Sequence, residues 1–545
     1  MRDPRFLAVG VLFGVLIGCG GTPISPTKRS TRESAFDSRS SKVISAAEFP
    51  AVQPSRPIRA IRPPNGLPTI WPKDVRVNTL ISNHGIGTAG EPGIAILPDE
   101  VNGTFVFWED AALGLVRAQR LTADGTALWT GGGITNSAAY QGSPSAVNDG
   151  RGGALVAWFD GRNGNCDSVT EMSCALFIQR VDGNGAMKWG EFALPVTSRA
   201  GTRRFAIISD GANGAYLAWN SYRGYAYADC CSYYMQHIDA DGQPLWVEDG
   251  IRVSELPTVA SGAGVTKPRL ISDGAGGAIL AWWNTQSTER PAWLMAQRVD
   301  RNGNFLWGSE GVQVSFTGSG HPNFDVTPDG SGGAIIAVQS NDAQDSQHSH
   351  VYLQRLGTDG TVMWGSTGVQ VSSQVGAQIA PTVVSDGRGG SYVAWTLYDL
   401  VQTKNDRISV AHVDAAGNLT WPSEITATAT ALGQTNPRLV SDQAGGVIVA
   451  WQDCRNVSGT ECAAAYNLYA QRIGPTGVRF WAPDGFPVSS AVGNQGVDYG
   501  NESRPGFEMI SVGDSLMFAW PDGRLKQCSA SIPQWCDLYA QRLTP

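Results

Sequence analysis

Charge is scarce in this chain. Only 16% of its 545 residues are Asp, Glu, Lys or Arg, and six are His. No nucleophile stands beside a base, no zinc-protease helix occurs and no carboxylate pair is singled out, so no catalytic residue is assigned. Cys-x2-Cys is absent, which removes the common structural zinc signature. No Asp-x-Asp-x-Asp series marks a calcium loop. His348 and His350 make one His-x-His, and His84 and His321 stand alone. No metal and no cofactor is therefore expected. Beyond the N-terminus no long segment carries helical periodicity, which argues against a helical fold. What is plentiful is Gly, with 66 residues, and Trp, with 18.

These residues are periodic. A block of about 58 residues recurs eight times between Trp71 and the C-terminus. Each copy holds a hydrophobic strand ending in Trp: Trp108, Trp158, Trp219, Trp282, Trp395, Trp451 and Trp520, with Val338 in the odd copy. A second strand ends in Gln-Arg, at Arg120, Arg180, Arg298, Arg355, Arg472 and Arg542, with His237 and His412 as variants. A Gly-x-x-x-Trp closes the block, and its Trp follows the Arg or His by nine residues in seven copies. Such constancy marks a repeat architecture.

Each copy is expected to form four short strands. In the fourth copy these are Gly250 to Ser254, Pro268 to Ser272, Ala278 to Trp282 and Leu294 to Val299. Turns such as Asp273-Gly274-Ala275-Gly276-Gly277 join strands; Gly supplies positive φ and Asp bonds nearby amides. The closing Gly-x-x-x-Trp resembles the tryptophan-docking motif of quinoprotein-type β-propellers, in which the indole packs on the neighbouring blade. Four-stranded units that leave faces to cover close radially. The expected fold is all-β: an eight-bladed β-propeller of four-stranded antiparallel blades over residues 71–545. The chain stops at Leu543 before its own Gly-x-x-x-Trp, and Ile70-Trp71 supplies the missing equivalent, which supports a closed ring.

Arg2 and Arg5 precede an apolar run, Phe6 to Ile17, that is too short to span a bilayer. It ends in Leu16-Ile17-Gly18-Cys19, which resembles the lipobox of bacterial lipoproteins. The resemblance implies that residues 1–19 hold a signal peptide cleaved before Cys19, that Cys19 is lipidated, and, with Gly20 next, that the outer membrane is the destination. Residues 20–70 are rich in Ser, Pro and Arg and poor in apolar residues, as in a disordered tether. The chain carries −8 overall; with +1 in the signal and +5 in the tether, residues 71–545 carry −14. An acidic domain without a basic stripe argues against nucleic-acid binding. The expected partners are a membrane, through the anchor, and a protein or glycan ligand; the chain is expected as a monomer in the cell envelope.

Three cysteine pairs share one spacing: Cys166 with Cys174, Cys454 with Cys462, and Cys528 with Cys536. They are expected to staple hairpin loops as disulfides in an oxidising compartment. Adjacent Cys230 and Cys231 form a vicinal disulfide, stay as thiols or bond another chain; the sequence leaves this open. They sit among Tyr222, Tyr225, Tyr227, Tyr233 and Tyr234, the candidate binding residues. The connections that hold these residues vary in length, whereas those on the opposite face are uniform. Function concentrates on variable loops held by a rigid scaffold. Trp-x-Asp-x-Arg opens three of these connections, at Asp160/Arg162, Asp453/Arg455 and Asp522/Arg524. Such pairs either grip a polar ligand or, as expected here, bond each other.

The leading expectation is an exported, lipid-anchored binding or scaffold module. One alternative is an assembly factor similar to the eight-bladed lipoprotein of the outer-membrane barrel-insertion machinery, from which the disulfide loops depart. Another is a sialidase-like or other carbohydrate-active hydrolase, whose arginine triad cannot be assigned in this sequence.

Overall fold

A computed structural model describes residues 79–83, 93–163, 166, 174–198, 201–222, 230–254, 267–284, 292–318, 323–341, 349–374, 376–399, 405–429, 433–456, 466–491, 495–496, 506–524 and 536–544. All belong to one compact unit within residues 53–545. The signal segment, the tether and Trp71 lie outside the described residues.

The described chain folds into eight antiparallel sheets. Blade 2 is representative: Gln141–Asn148, Ala154–Asp160, Ala175–Val181 and Leu194–Pro195, paired in that order. The first strand of each blade touches the first strand of the next, and blade 8 touches blade 1, so the first strands form the innermost wall of a closed ring. The second strands, such as Ala154–Asp160 and Val447–Asp453, are buried along their whole length. They read as continuous apolar runs because both faces of a blade pack on neighbours.

The ring closes through its two ends. Thr79–Ser82 pairs antiparallel with Asp537–Leu543 and completes blade 8 as its outermost strand. Ile94 and Ile96 of blade 1 share a core with Met517, Leu538 and Ala540 of blade 8. The blades are out of phase with the repeat as drawn from the sequence. Ile251–Arg252 pairs with Cys230–Ile238, so the expected first strand of the fourth copy is the outermost strand of blade 3. Blade 4 runs instead from Arg269–Ser272 to Val312–Gly318. Blade 1 has three described strands, Ile94–Pro98, Thr104–Asp110 and Leu115–Leu121.

The repeated polar residues hold this frame. In blade 2 the Asp149 carboxylate accepts the N–H groups of Arg151 (2.8 Å) and Gly153 (2.7 Å) inside its hairpin, and Arg180 Nε at 2.7 Å. Gln179 then caps the outer hairpin, donating to the Gly190 carbonyl (2.7 Å) and accepting the Trp189 N–H (2.9 Å). His237 and His412 replace the Arg and bond Asp210 (2.9 Å) and Asp386 (3.0 Å) in the same way. Burial opposes ionisation of Asp442, but the Ala444 N–H, the Arg472 guanidinium and the Gly446 N–H together hold its pKa below the usual value. The closing indoles cross to the next blade: Trp129 Nε1 donates to the Gly183 carbonyl (3.3 Å) and Trp421 Nε1 to that of Pro475 (2.9 Å).

Candidate functional site

The hairpins between first and second strands, and between third and outermost strands, share one face of the ring. The connections between second and third strands emerge on the other. There blade 1 uses only residues 111–114, while its ring neighbours, blades 8 and 2, use 523–536 and 161–174. Among the second-to-third connections the shortest is thus flanked by the two longest.

The long connections start from a rigid base. In blade 2 the Asp160 carboxylate accepts the indole N–H of buried Trp158 at 3.0 Å. Arg162 grips the same carboxylate with two donors, Nε at 2.8 Å and Nη2 at 2.6 Å. The Arg162 guanidinium lies over the Phe177 ring, 4.1 Å from its centroid. Blade 7 repeats this with Trp451, Asp453, Arg455 and Tyr469, and blade 8 with Trp520, Asp522, Arg524 and Tyr539. Carboxylate and guanidinium satisfy each other, so the motif builds the loop base, as the sequence suggested. The same three blades carry the paired cysteines. Cys166 and Cys174 form a disulfide with 4.8 Å between Cα atoms. Cys454 and Cys536 are disulfide-bonded; Cys462 and Cys528 lie outside the described residues.

The candidate tyrosines divide. Tyr222 ends the second strand of blade 3 and pairs with Cys230, which with Cys231 begins the third strand, Cys230–Ile238. Tyr225 and Tyr227 lie outside the described residues. Tyr233 and Tyr234 belong to that third strand rather than to a loop, and both are buried. Tyr233 packs near Trp282 of blade 4 (6.1 Å between centroids), and Tyr234 stacks near Trp219 (6.2 Å). Among the described residues no cluster of three or more His, Cys, Asp or Glu side chains is placed to hold a metal. His350 bonds Gln378 at 3.4 Å, and its former companion His348 lies outside the described residues.

Two groups escaped the sequence reading. The first is Glu109, after Trp108 in blade 1. Its carboxyl is 1% exposed and accepts the Tyr140 hydroxyl (3.1 Å) and the Ser143 N–H of blade 2 (3.2 Å). Burial pushes its pKa up to about 7, against the opposing pull of those two hydrogen bonds.

The second is a collar on the innermost strands, one residue per blade at one register position. Blades 4 to 8 contribute Arg269, Asp325, Thr382, Arg438 and Glu508, each paired directly across to an Ala of its second strand: Ala281, Ala337, Ala394, Ala450 and Ala519. Blades 1 to 3 place Ala95, Ser145 and Ala206 at the same level. One arc of the collar is charged except at Thr382, and the other is small. Four blades carry a bulge two residues earlier, where Ser143, Arg204, Ala380 and Asn436 take positive φ (52°, 35°, 55° and 56°). Beside the small arc lies a cavity of about 270 Å³, lined by Ile94–Ile96, Ser143–Ala146, Phe205, Lys267, Arg269, Arg438 and Glu508. Residues of blades 1, 2, 3, 4, 7 and 8 meet in one cavity only on the ring axis.

No family model and no curated protein matches the chain. Solved structures similar to it include puromycin hydrolase (12% identity, TM-score 0.41, covering 83% of this chain and 61% of that one) and an ulvan lyase, a polysaccharide lyase (9%, 0.42, 76% and 97%). An α-L-arabinanase of Penicillium chrysogenum complexed with arabinobiose shares 14% identity at a TM-score of 0.32, over 62% of this chain and 93% of that one. This chain thus spans about three-fifths of the length of puromycin hydrolase. At these values the similarities carry nothing about ligand or reaction.

Proposed function

We propose that this chain is an exported binding module that holds a protein or glycan on its variable-connection face, anchored to the outer membrane through lipidated Cys19. The observation that supports the binding face is the contrast between the two faces. One is made of hairpins whose lengths hardly vary from blade to blade; the other carries unequal connections, three of which rise from the same Trp–Asp–Arg base. A rigid base lowers the entropy that a loop loses on binding. Tyr222, Tyr225 and Tyr227 are the binding residues proposed on this face, because aromatic rings offer large contact area at small entropy loss.

The test is a glycan array together with affinity capture from cell-surface extracts, run on the native protein and on a Tyr225→Ala/Tyr227→Ala variant. Binding that disappears in the variant at an unchanged unfolding midpoint supports the site. Binding retained while the midpoint falls makes the tyrosines packing residues and moves the site elsewhere. The anchor is tested separately by fractionation: Cys19→Ala is expected to release the protein from the membrane fraction or leave it unprocessed. A normally cleaved, membrane-bound variant would overturn the anchor.

A further inference from the structure

We propose that the axial cavity is a second binding site, separate from the variable-connection face, for a small polar ligand that presents an oxyanion (carboxylate, sulfate or phosphate) to Arg269 and Arg438. Three cationic side chains, Lys267, Arg269 and Arg438, line the cavity against one carboxylate, Glu508. That excess sits inside a domain whose net charge is −14. A charge confined between low-dielectric walls is screened less than one on the outer surface, so the local sign governs what enters.

Both guanidinium groups have donors to spare. Arg269 Nε donates to the Phe324 carbonyl at a long 3.4 Å, and its neighbouring acid, Asp325, stands 3.8 Å away. Asp325 is already served from the other side, by Thr382 Oγ1 and the Val383 N–H, each at 3.1 Å. Arg438 meets Glu508 through one Nη2 contact of 3.2 Å, and its buried Nε has no partner among the described residues. A guanidinium carries five N–H donors in a planar fork that matches an oxyanion in two-point geometry. Arg269 in blade 4 and Arg438 in blade 7 reach the same space from different sides of the ring.

The small arc explains why there is space. Ala95 and Ser145 stand where blades 4, 5, 7 and 8 place charged side chains, and the cavity lies against them. They leave room for the uncharged body of a ligand whose anionic group is held opposite. The positive-φ bulge at Ser143 directs the blade 2 strand at this level, and strained backbone of this kind concentrates at functional sites.

Titration calorimetry on the full-length protein tests this with four probes that share one sugar body: glucose, glucuronate, glucose 6-sulfate and glucose 6-phosphate. Saturable binding of at least one anionic probe is expected, with none for glucose, and the probe that binds assigns the oxyanion. Arg269→Gln and Arg438→Gln are each expected to weaken binding at least tenfold. Ser145→Leu keeps both cations and fills the cavity, so it is expected to abolish binding in a protein that still carries its ion pairs. Tyr225→Ala is expected to leave binding unchanged, which separates this site from the outer face. No saturable binding by any anionic probe, or equal affinity in the folded Arg and Ser145 variants, overturns the proposal.

Discussion

Arg298 and Trp307, nine residues apart in blade 4, donate to one acceptor, the Thr358 carbonyl of blade 5, each at 2.9 Å. The Gln-Arg pair and the closing Trp, separate motifs in the sequence, are thus two fingers of one clasp. Arg355 and Trp364 repeat it on the Ala415 carbonyl, at 3.1 and 3.2 Å. The acceptor turn brings a glycine beneath the indole. Gly360 has φ +85°, and a Cβ there would stand 2.9 Å from Trp307 Cγ.

Gly360→Ala is therefore expected to destabilise by about 2–4 kcal/mol, from left-handed backbone plus forced displacement of the indole. Gly387→Ala is the control: its φ is +72° but nothing lies within 4 Å of the added Cβ. It is expected to lose only about 1 kcal/mol. Urea unfolding of the two variants checks this; equal midpoints would remove the clasp from the explanation.

Asp453 serves three donors: the Trp451 indole, the Arg455 backbone N–H and the Arg455 guanidinium. Asp453→Ala leaves a mostly buried cation without its partner, and a loss of about 3 kcal/mol is expected. Asp453→Asn keeps an acceptor for the indole and is expected to lose less. The ordering Ala below Asn below native, read from thermal midpoints, is the checkable result.

Glu109 makes stability depend on pH in the direction opposite to an ion-paired carboxylate. Its folded pKa of about 7 exceeds the ordinary 4.5. Between those values the folded protein keeps a proton that the unfolded chain has released, so stability falls as pH rises through this window. The loss is on the order of 3 kcal/mol once pH passes 7. Asp210, Asp329 and Asp442, with lowered pKa values, act with the reverse sign, and their stabilisation fades only as pH drops through the acid range. Glu109→Gln is expected to flatten the slope between pH 5 and about 7.5 while leaving the acid limb intact. A slope unchanged in that variant would refute the assignment.

Deleting residues 66–82 removes Trp71 and the closing strand, with Leu80 and Ile81, which pack against the cores on either side of blade 8. The unfolding midpoint is expected to fall by several degrees or more. Deleting residues 25–60 is expected to leave it unchanged. Equal midpoints for the two deletions would place the seam elsewhere.

The strands were legible because apolar runs and Gly-rich turns alternate, and blade number followed from counting the seven landmarks Trp108 to Trp520 with Val338 as the eighth. The blade boundary was not. A cyclic repeat reads equally well from any starting strand, and only the pairing of Thr79–Ser82 with Asp537–Leu543 decides it. Tyr233 and Tyr234 looked like loop residues because Cys230 and Cys231 broke the apolar pattern. The pairing of Tyr222 with Cys230 instead extends the strand, and neighbours cover both of its faces. The collar did leave a trace. Arg269, Asp325, Thr382 and Arg438 each stand thirteen residues before the landmark Trp, or Val338 in blade 5. Residue type varies at that position from blade to blade, so no motif drew attention to it. Glu109 is illegible in sequence, because its state depends on Tyr140 and Ser143, which only the fold brings near.

The seam also sets an order in time. Among the described strands Thr79–Ser82 is the first to be synthesised and Asp537–Leu543 the last, yet the two are partners. The closing of the ring therefore waits for blade 8, and Thr79–Ser82 must stay uncommitted until Asp537–Leu543 exists. Contacts this distant in sequence form slowly, and an unpaired strand edge invites pairing with another chain in the interval. A truncation near the C-terminus would thus leave more than a shorter protein: it would leave an open arc with two adhesive ends.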